Sequence, residues 1–273
     1  MINTIHLFEP LDKKLIGLLR SLGPAEWEKP TVAKQWNVKD VAAHLLDGNI
    51  RTISSGRDHY QGIRINNAPS FEGLVTALNT LNADWVNAMK RVSPSILTDW
   101  LETSGRQYSV LMAAANLQTP APFAVSWAGD EESPNWFHIA REYTEKWHHQ
   151  QQIRDAVGKP GIMTHEWYYP VLDTFMMALP HTYRNTAALN GTTVQITISG
   201  DGGGHWFLTH GNGKWILSKT IDMPVTAHTT IDGAAAWKLF TKSWRRKDIA
   251  PYVSIEGDRE LGGVVLEMIS VMA

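Results

Sequence analysis

Trp36-Asn37-Val38-Lys39-Asp40-Val41-Ala42-Ala43-His44-Leu45 reads as the opening of a helix. Asn37 stands where an N-cap belongs, and Asp40 follows three residues later in a box-like arrangement. Val38, Val41, Ala42, Leu45 and Ile53 then recur at the spacing of one buried helical face. His44 lies at the edge of that face, between Val41 and Leu45, and Gly48 one turn on leaves room above it. Helical bundles build metal sites by inward projection of this kind from facing helices.

The helical period continues on both sides. Upstream, Phe8, Leu11, Leu15, Leu18, Leu19 and Leu22 share a face, and Gly23-Pro24 ends the run. Downstream, Ser70 is placed to cap a helix whose stripe is Leu74, Leu78, Leu81, Trp85, Met89 and Val92. A less regular helix is expected between Ile96 and Leu117, broken at Gln118-Thr119-Pro120-Ala121-Pro122. Ser133-Pro134 then predicts a helix start, serine as cap and proline in the first turn, running to about Val157-Gly158. One more helix is expected from Trp167 to Leu179.

Beyond it the period changes from 3.6 to 2. Thr193 to Ser199 alternates as a half-buried strand, and strands are expected over His205–His210, Lys214–Ser218, Val225–Thr230 and Tyr252–Glu256. Helices are expected over Gly233–Ser243 and, closing the chain, Arg259–Val271. The fold class is therefore a two-domain α plus α/β arrangement, a helical bundle over residues 1–182 followed by a small α+β domain over 183–273. Asp201-Gly202-Gly203-Gly204 joins two strands and precedes no helix, so it reads as a hairpin turn and not a phosphate loop. No Gly-x-Ser-x-Gly elbow occurs, and His205 and His210 have opposite parity on one strand, which argues against joint chelation.

Composition narrows the chemistry. The 273 residues carry a formal net charge of -2, which argues against a nucleic-acid partner held by phosphate attraction. No stretch approaches the roughly 18 apolar residues of a membrane span, and the N-terminus lacks a basic region followed by an apolar run, so a cytoplasmic protein is expected. The absence of cysteine removes disulfides, thiolate zinc sites and a cysteine nucleophile.

What can still bind a metal is carboxylate plus imidazole. Glu145 and His149 stand four apart in Glu142-Tyr143-Thr144-Glu145-Lys146-Trp147-His148-His149-Gln150, about one helical turn. On a wheel, Trp136, Ala140, Tyr143 and Trp147 form an apolar stripe, with His138, Glu142, Glu145 and His149 beside it. Arg141, Thr144, His148, Gln151 and Asp155 fall on a third, polar side, so His148 reads as solvated. Glu142 rivals Glu145 as a ligand, or orients a histidine from outside the shell. His44 is the candidate third ligand. Two imidazoles and one carboxylate leave a position open and suit zinc, with nickel, manganese or iron also compatible.

These residues carry a resemblance. Trp36 to Leu45 resembles the W-(S/T)-x-x-D-(V/L)-x-x-H-L signature of the DinB-like superfamily. Glu145-Lys146-Trp147-His148-His149, followed by Ile153-Arg154-Asp155-Ala156-Val157-Gly158, is similar to its second signature. The branch it resembles is the mycothiol-dependent maleylpyruvate isomerase family. The resemblance implies a DinB-like four-helix bundle followed by a small α+β, sterol-carrier-like domain. It implies a divalent metal, usually zinc, on His44, Glu145 and His149, whose open position takes a small thiol such as mycothiol, bacillithiol or a relative. Thiol-assisted cis–trans isomerisation or S-transfer on a small-molecule electrophile would follow, and pairing into a homodimer is an expectation by analogy. The family's C-terminal helix often ends in Gly-Arg, whose arginine approaches a substrate carboxylate. Here Trp244 replaces the glycine, leaving Arg245 as the candidate with Arg246 adjacent. Two other readings stand beside this one: a metal-dependent hydrolase with Glu142 as general base, and a non-catalytic DinB-like binding module.

Overall fold

The computed structural model describes residues 1–63 and 70–271. Two compact units are distinguished: Asn3–Leu117 with Glu145–Gly161, and Met1–Ile2 with Gln118–Thr144 and Ile162–Val271. This line passes inside a helix, between Thr144 and Glu145, and differs from the 182/183 division expected from the change of period.

The helical unit contains α1 (Phe8–Arg20), α2 (Pro24–Trp27), α3 (Val38–Gly56), α4 (Phe71–Met89), α5 (Pro94–Ala113) and the C-terminal half of α6 (Asn135–Val157). The cap read from the sequence is present: Asn37 Oδ1 accepts the Asp40 amide at 2.9 Å and Asp40 Oδ2 accepts the Asn37 amide at 3.2 Å. Ser70 Oγ likewise accepts the Gly73 amide at 3.1 Å and starts α4. Leu15 and Leu19 of α1, Val41, Ala42 and Leu46 of α3, Leu97 and Leu101 of α5, and Ile153 and Val157 of α6 share one hydrophobic core. Trp85 and Met89 of α4 pack against it, and Trp85 Nε1 donates to Ala43 O at 2.8 Å.

Polar groups fasten α6 into this unit. Lys146 Nζ donates to both carboxylate oxygens of Asp12 at 2.9 Å and lies 4.4 Å from the Tyr108 ring centroid. At the helix end, Arg154 donates to the carbonyls of Lys159, Pro160 and Lys14, and Gly158 takes the left-handed conformation that terminates the turn. Glu145 and His149 therefore project from a helix held at its core face and at its C-terminus.

The second unit begins its helix differently from expectation. Ser133 does not cap α6. Its hydroxyl donates to Asp130 Oδ2 at 2.6 Å and accepts the Val125 amide at 2.9 Å, so it closes the preceding loop, and the helix starts at Asn135. After α6 come α7 (His165–Met176) and α8 (Leu179–Tyr183). Among the described residues, five strands follow: β1 (Thr193–Ile198), β2 (Gly204–Gly211), β3 (Lys214–Ser218), β4 (Ala227–Ile231) and β5 (Val253–Gly257). Their order is β3-β2-β1-β4-β5, with β1 and β4 parallel and the other pairs antiparallel, a small mixed sheet. The glycine run is the β1–β2 turn, as read: a Cβ on Gly203 would lie 2.0 Å from Ile198 O.

Val194, Ile196, Ile198, Trp206, Leu208, Ala227 and Ile231 make the buried sheet face by strict alternation. Helices α9 (Gly233–Phe240), α10 (Arg246–Ile249) and α11 (Arg259–Gly263) complete the unit. The closing helix is much shorter than the expected Arg259–Val271. It tightens to a 3-10 turn over Val264–Glu267 and leaves the helical region at Met268. Gly262 packs directly on the sheet, where a Cβ would sit 2.6 Å from Ile255 Cγ2, and a Gly-Gly pair supports little further helix.

Candidate metal centre

Within the helical unit, α6 brings the expected pair together: Glu145 Oε2 lies 3.7 Å from His149 Nε2. His44 approaches His149 from α3, although the grouping whose ligand atoms lie within 4.8 Å of one another is Glu145, His148 and His149. The His44 ring centroid is 4.6 Å from that of His149, edge to face at 77°. Trp36, just before the α3 cap, stands 4.8 Å from the His44 ring and walls it on another side. Above His44, a Cβ on Gly48 would meet nothing within 4 Å, so the space inferred from the sequence exists.

Hydrogen bonding sets the protonation of these rings. His149 Nδ1 is 2.9 Å from Gln152 Oε1. That oxygen only accepts, so Nδ1 carries the proton and Nε2 presents its lone pair towards Glu145. Burial, reinforced by repulsion from His148, holds His149 well below the ordinary imidazole range, against the opposing effect of the Gln152 bond. Burial likewise holds His44 well below it, with His149 and then Arg51 adding repulsion. His44 Nδ1 is buried with no hydrogen-bond partner among the described residues. A buried ring nitrogen without a partner is a costly arrangement in a folded interior. A divalent cation removes that cost. Metal–ligand bonds of about 2.0–2.1 Å put tetrahedral ligand atoms roughly 3.4 Å apart, close to the 3.7 Å seen between Glu145 and His149. The residues fit a cation.

His148 corrects the wheel reading. It is 4% exposed and not solvated, its ring lies 3.9 Å from that of His149, and its Nδ1 is 3.9 Å from Glu145 Oε2. Ligand atoms of Glu145, His148 and His149 all fall within 4.8 Å of one another. The polar side of α6 is buried here, with Gln150, Gln151, Gln152 and Arg154 all inside. Gln152 was also missed as a functional residue, although its spacing of three from His149 is the signal for an orienting partner.

The other candidates, Glu142 and Arg245, belong to the second unit. Glu142 is paired with Arg141, whose Nη2 is 2.5 Å from Glu142 Oε1 and 2.9 Å from His138 Nδ1. Burial lowers His138 to about 4 against the opposing charge of Glu142. Arg245 is exposed, and its backbone amide donates to Asp248 Oδ2 at 2.9 Å at the start of α10. Trp244, in place of the family's glycine, has its ring 5.4 Å from that of Tyr252, tilted at 37°, and lies under Lys238 Nζ at 4.9 Å. Two surface clefts of the helical unit, one bordered by Ile50, Arg57 and Trp100 and one by Leu22, Trp27 and Pro94, are not lined by His44, Glu145 or His149.

The sequence profile of the Mycothiol maleylpyruvate isomerase N-terminal domain matches residues 8–154, which include α1, α3 and both parts of the cluster. A solved structure of the mycothiol-dependent maleylpyruvate isomerase, as a histidine-to-alanine mutant, shares the fold at a TM-score of 0.51 and 10% identity, covering 92% of this chain and 92% of that one. A second structure of the mycothiol-dependent maleylpyruvate isomerase gives 0.50 at 10% identity, over 86% of this chain and 88% of that one. No curated protein matches significantly. Among the described residues, no helix is long and apolar enough to cross a membrane.

Proposed function

The chain belongs to the mycothiol maleylpyruvate isomerase N-terminal domain family, and from that premise we propose that it is a metal-dependent enzyme using a low-molecular-weight thiol on a small electrophile. The observation that carries the reading is a Glu145 carboxylate oxygen 3.7 Å from His149 Nε2, with the His44 ring against that of His149, all within one helical unit. His44, Glu145 and His149 are the proposed protein ligands. When bound, a cation such as zinc supplies the Lewis acidity that lowers a thiol's pKa at a remaining position.

The chain's own residues do the rest. Gln152 holds the His149 tautomer, burial keeps both imidazoles unprotonated at neutral pH, and Trp36 shields the His44 side from water. The open position beside Gly48 is where we place the substrate. A small thiol, when bound, would supply the nucleophilic sulfur for reversible addition to an activated double bond (isomerisation) or for lasting transfer to an electrophile. Arg245 as a carboxylate partner rests on the family pattern alone, as does a homodimer. The cytoplasm, where small thiols stay reduced, is the proposed setting.

The hydrolase alternative asks Glu142 to act as base, and its pairing with Arg141 argues against that. The decisive experiment loads the protein with cobalt and adds mycothiol or bacillithiol. A sulfur-to-cobalt charge-transfer band is expected. Absence of the band with every thiol, together with thiol-independent hydrolysis of ester or amide substrates, overturns the proposal.

A further inference from the structure

We propose that His148 is a fourth protein ligand of the same cation, so that α6 alone supplies three ligand atoms and α3 supplies one. The inference rests on the metal reading above and extends it to a residue outside the E-x-x-x-H pattern. Three observations lead to it. His148 is almost fully buried, at 4% exposure, on a side of the helix that its sequence marks as polar. Its Nδ1 stands 3.9 Å from Glu145 Oε2, nearly as close as the 3.7 Å of His149 Nε2 to the same atom. Its ring is tilted at 38° against that of His149 with centroids 3.9 Å apart, and ligand atoms of both lie within 4.8 Å of each other and of Glu145.

Consecutive residues on a helix normally diverge by about 100°. Positions three and four beyond Glu145 both neighbour it on a helix, so one carboxylate oxygen faces both rings at once, as a shared ion would need. Contraction of these two separations by roughly 0.3–0.5 Å would bring each nitrogen to tetrahedral-ligand spacing from Glu145 Oε2. The shell becomes three imidazoles and one carboxylate. With four protein ligands in place, a thiol would need an additional position of the kind that catalytic zinc sites sometimes open by expanding to five-coordination.

Cobalt-loaded protein tests this by counting ligands. Each coordinated imidazole keeps one ring N–H, which gives a separate hyperfine-shifted proton resonance that disappears in heavy water. The wild type is expected to show three such signals, and His148→Phe, which preserves the ring packing, two. Cobalt affinity of that variant should fall at least tenfold. His148→Gln, which retains a polar side chain, serves as the second variant, with helical circular dichroism of both read against wild type. Two signals in the wild type, unchanged in both variants, overturn the assignment of His148 while leaving the three-ligand site standing. A wild type that binds no cobalt, or a His149→Phe variant that binds it as tightly as wild type, overturns the underlying metal reading instead.

Discussion

Replacing Gln152 tests whether His149 is poised as a ligand. Gln152 is 4% exposed, and its Oε1 is the acceptor that fixes the proton on His149 Nδ1 at 2.9 Å. Gln152→Leu keeps the bulk and removes the acceptor. The Nδ1–H is then buried without a partner, a cost of about 1–3 kcal/mol to the metal-free protein. It also frees the ring to carry its proton on Nε2, the atom that faces Glu145. Loss of such an orienting bond typically weakens metal binding by about 10–100-fold, or roughly 1.4–2.7 kcal/mol. Gln152→Glu should act in the opposite direction, because a carboxylate on Nδ1–H raises the basicity of Nε2. Zinc affinity measured by chelator competition at pH 7 gives both numbers, with thermal unfolding of the metal-free proteins alongside. Affinities of the two variants within twofold of wild type would refute the assigned tautomer, and with it His149 Nε2 as a ligand.

Acid should destabilise the metal-free protein. His138 is lowered to about 4, and His44 and His149 lie well below their ordinary value near 6.5, so the unfolded chain takes up protons first as pH falls. Stability is thus complete above about pH 6.5 and falls below it by about 1.4 kcal/mol per pH unit for each such group; urea unfolding at pH 7 and pH 5 checks this, and equal midpoints contradict it. Asp12→Ala strands the Lys146 charge, whose side chain is only 9% exposed, and should cost about 3–5 kcal/mol, whereas Asp12→Leu with Lys146→Met should be near neutral by the same unfolding assay. Gly48→Ala should raise stability by about 0.5–1 kcal/mol, since its Cβ meets nothing within 4 Å, and a loss of stability on calorimetry would show the space to be filled.

The parts of the fold visible in the sequence are those where local rules and tertiary packing agree. Asn37 and Asp40 cap α3 as their types dictate, the 3.6-period stripes become one core, and alternation from Thr193 gives a half-buried strand. The triplet-glycine turn was legible for the same reason. Helix α6 was only half legible. From Lys146 to Arg154 it is buried on every side, yet this run contains Lys146, His148, His149, Gln150, Gln151, Gln152 and Arg154. A wheel assigns such residues to solvent. Here they are buried because Asp12 neutralises Lys146, main-chain carbonyls satisfy Arg154, and Gln152 satisfies His149. Those partners lie up to 140 residues away in the chain, so no local pattern announces them. Ser133 failed as a cap for a related reason: Asp130 and the Val125 amide already claim its hydroxyl.

The account stands on a cation shared by α3 and α6. Crystals of protein purified without chelator or polyhistidine tag, measured with anomalous scattering on both sides of the metal absorption edge, locate it directly. The predicted result is one peak about 2.0–2.3 Å from a ring nitrogen of His44, a ring nitrogen of His149 and a carboxylate oxygen of Glu145. A peak elsewhere, or well-ordered density showing these side chains packed together with no metal among them after zinc loading, would contradict it.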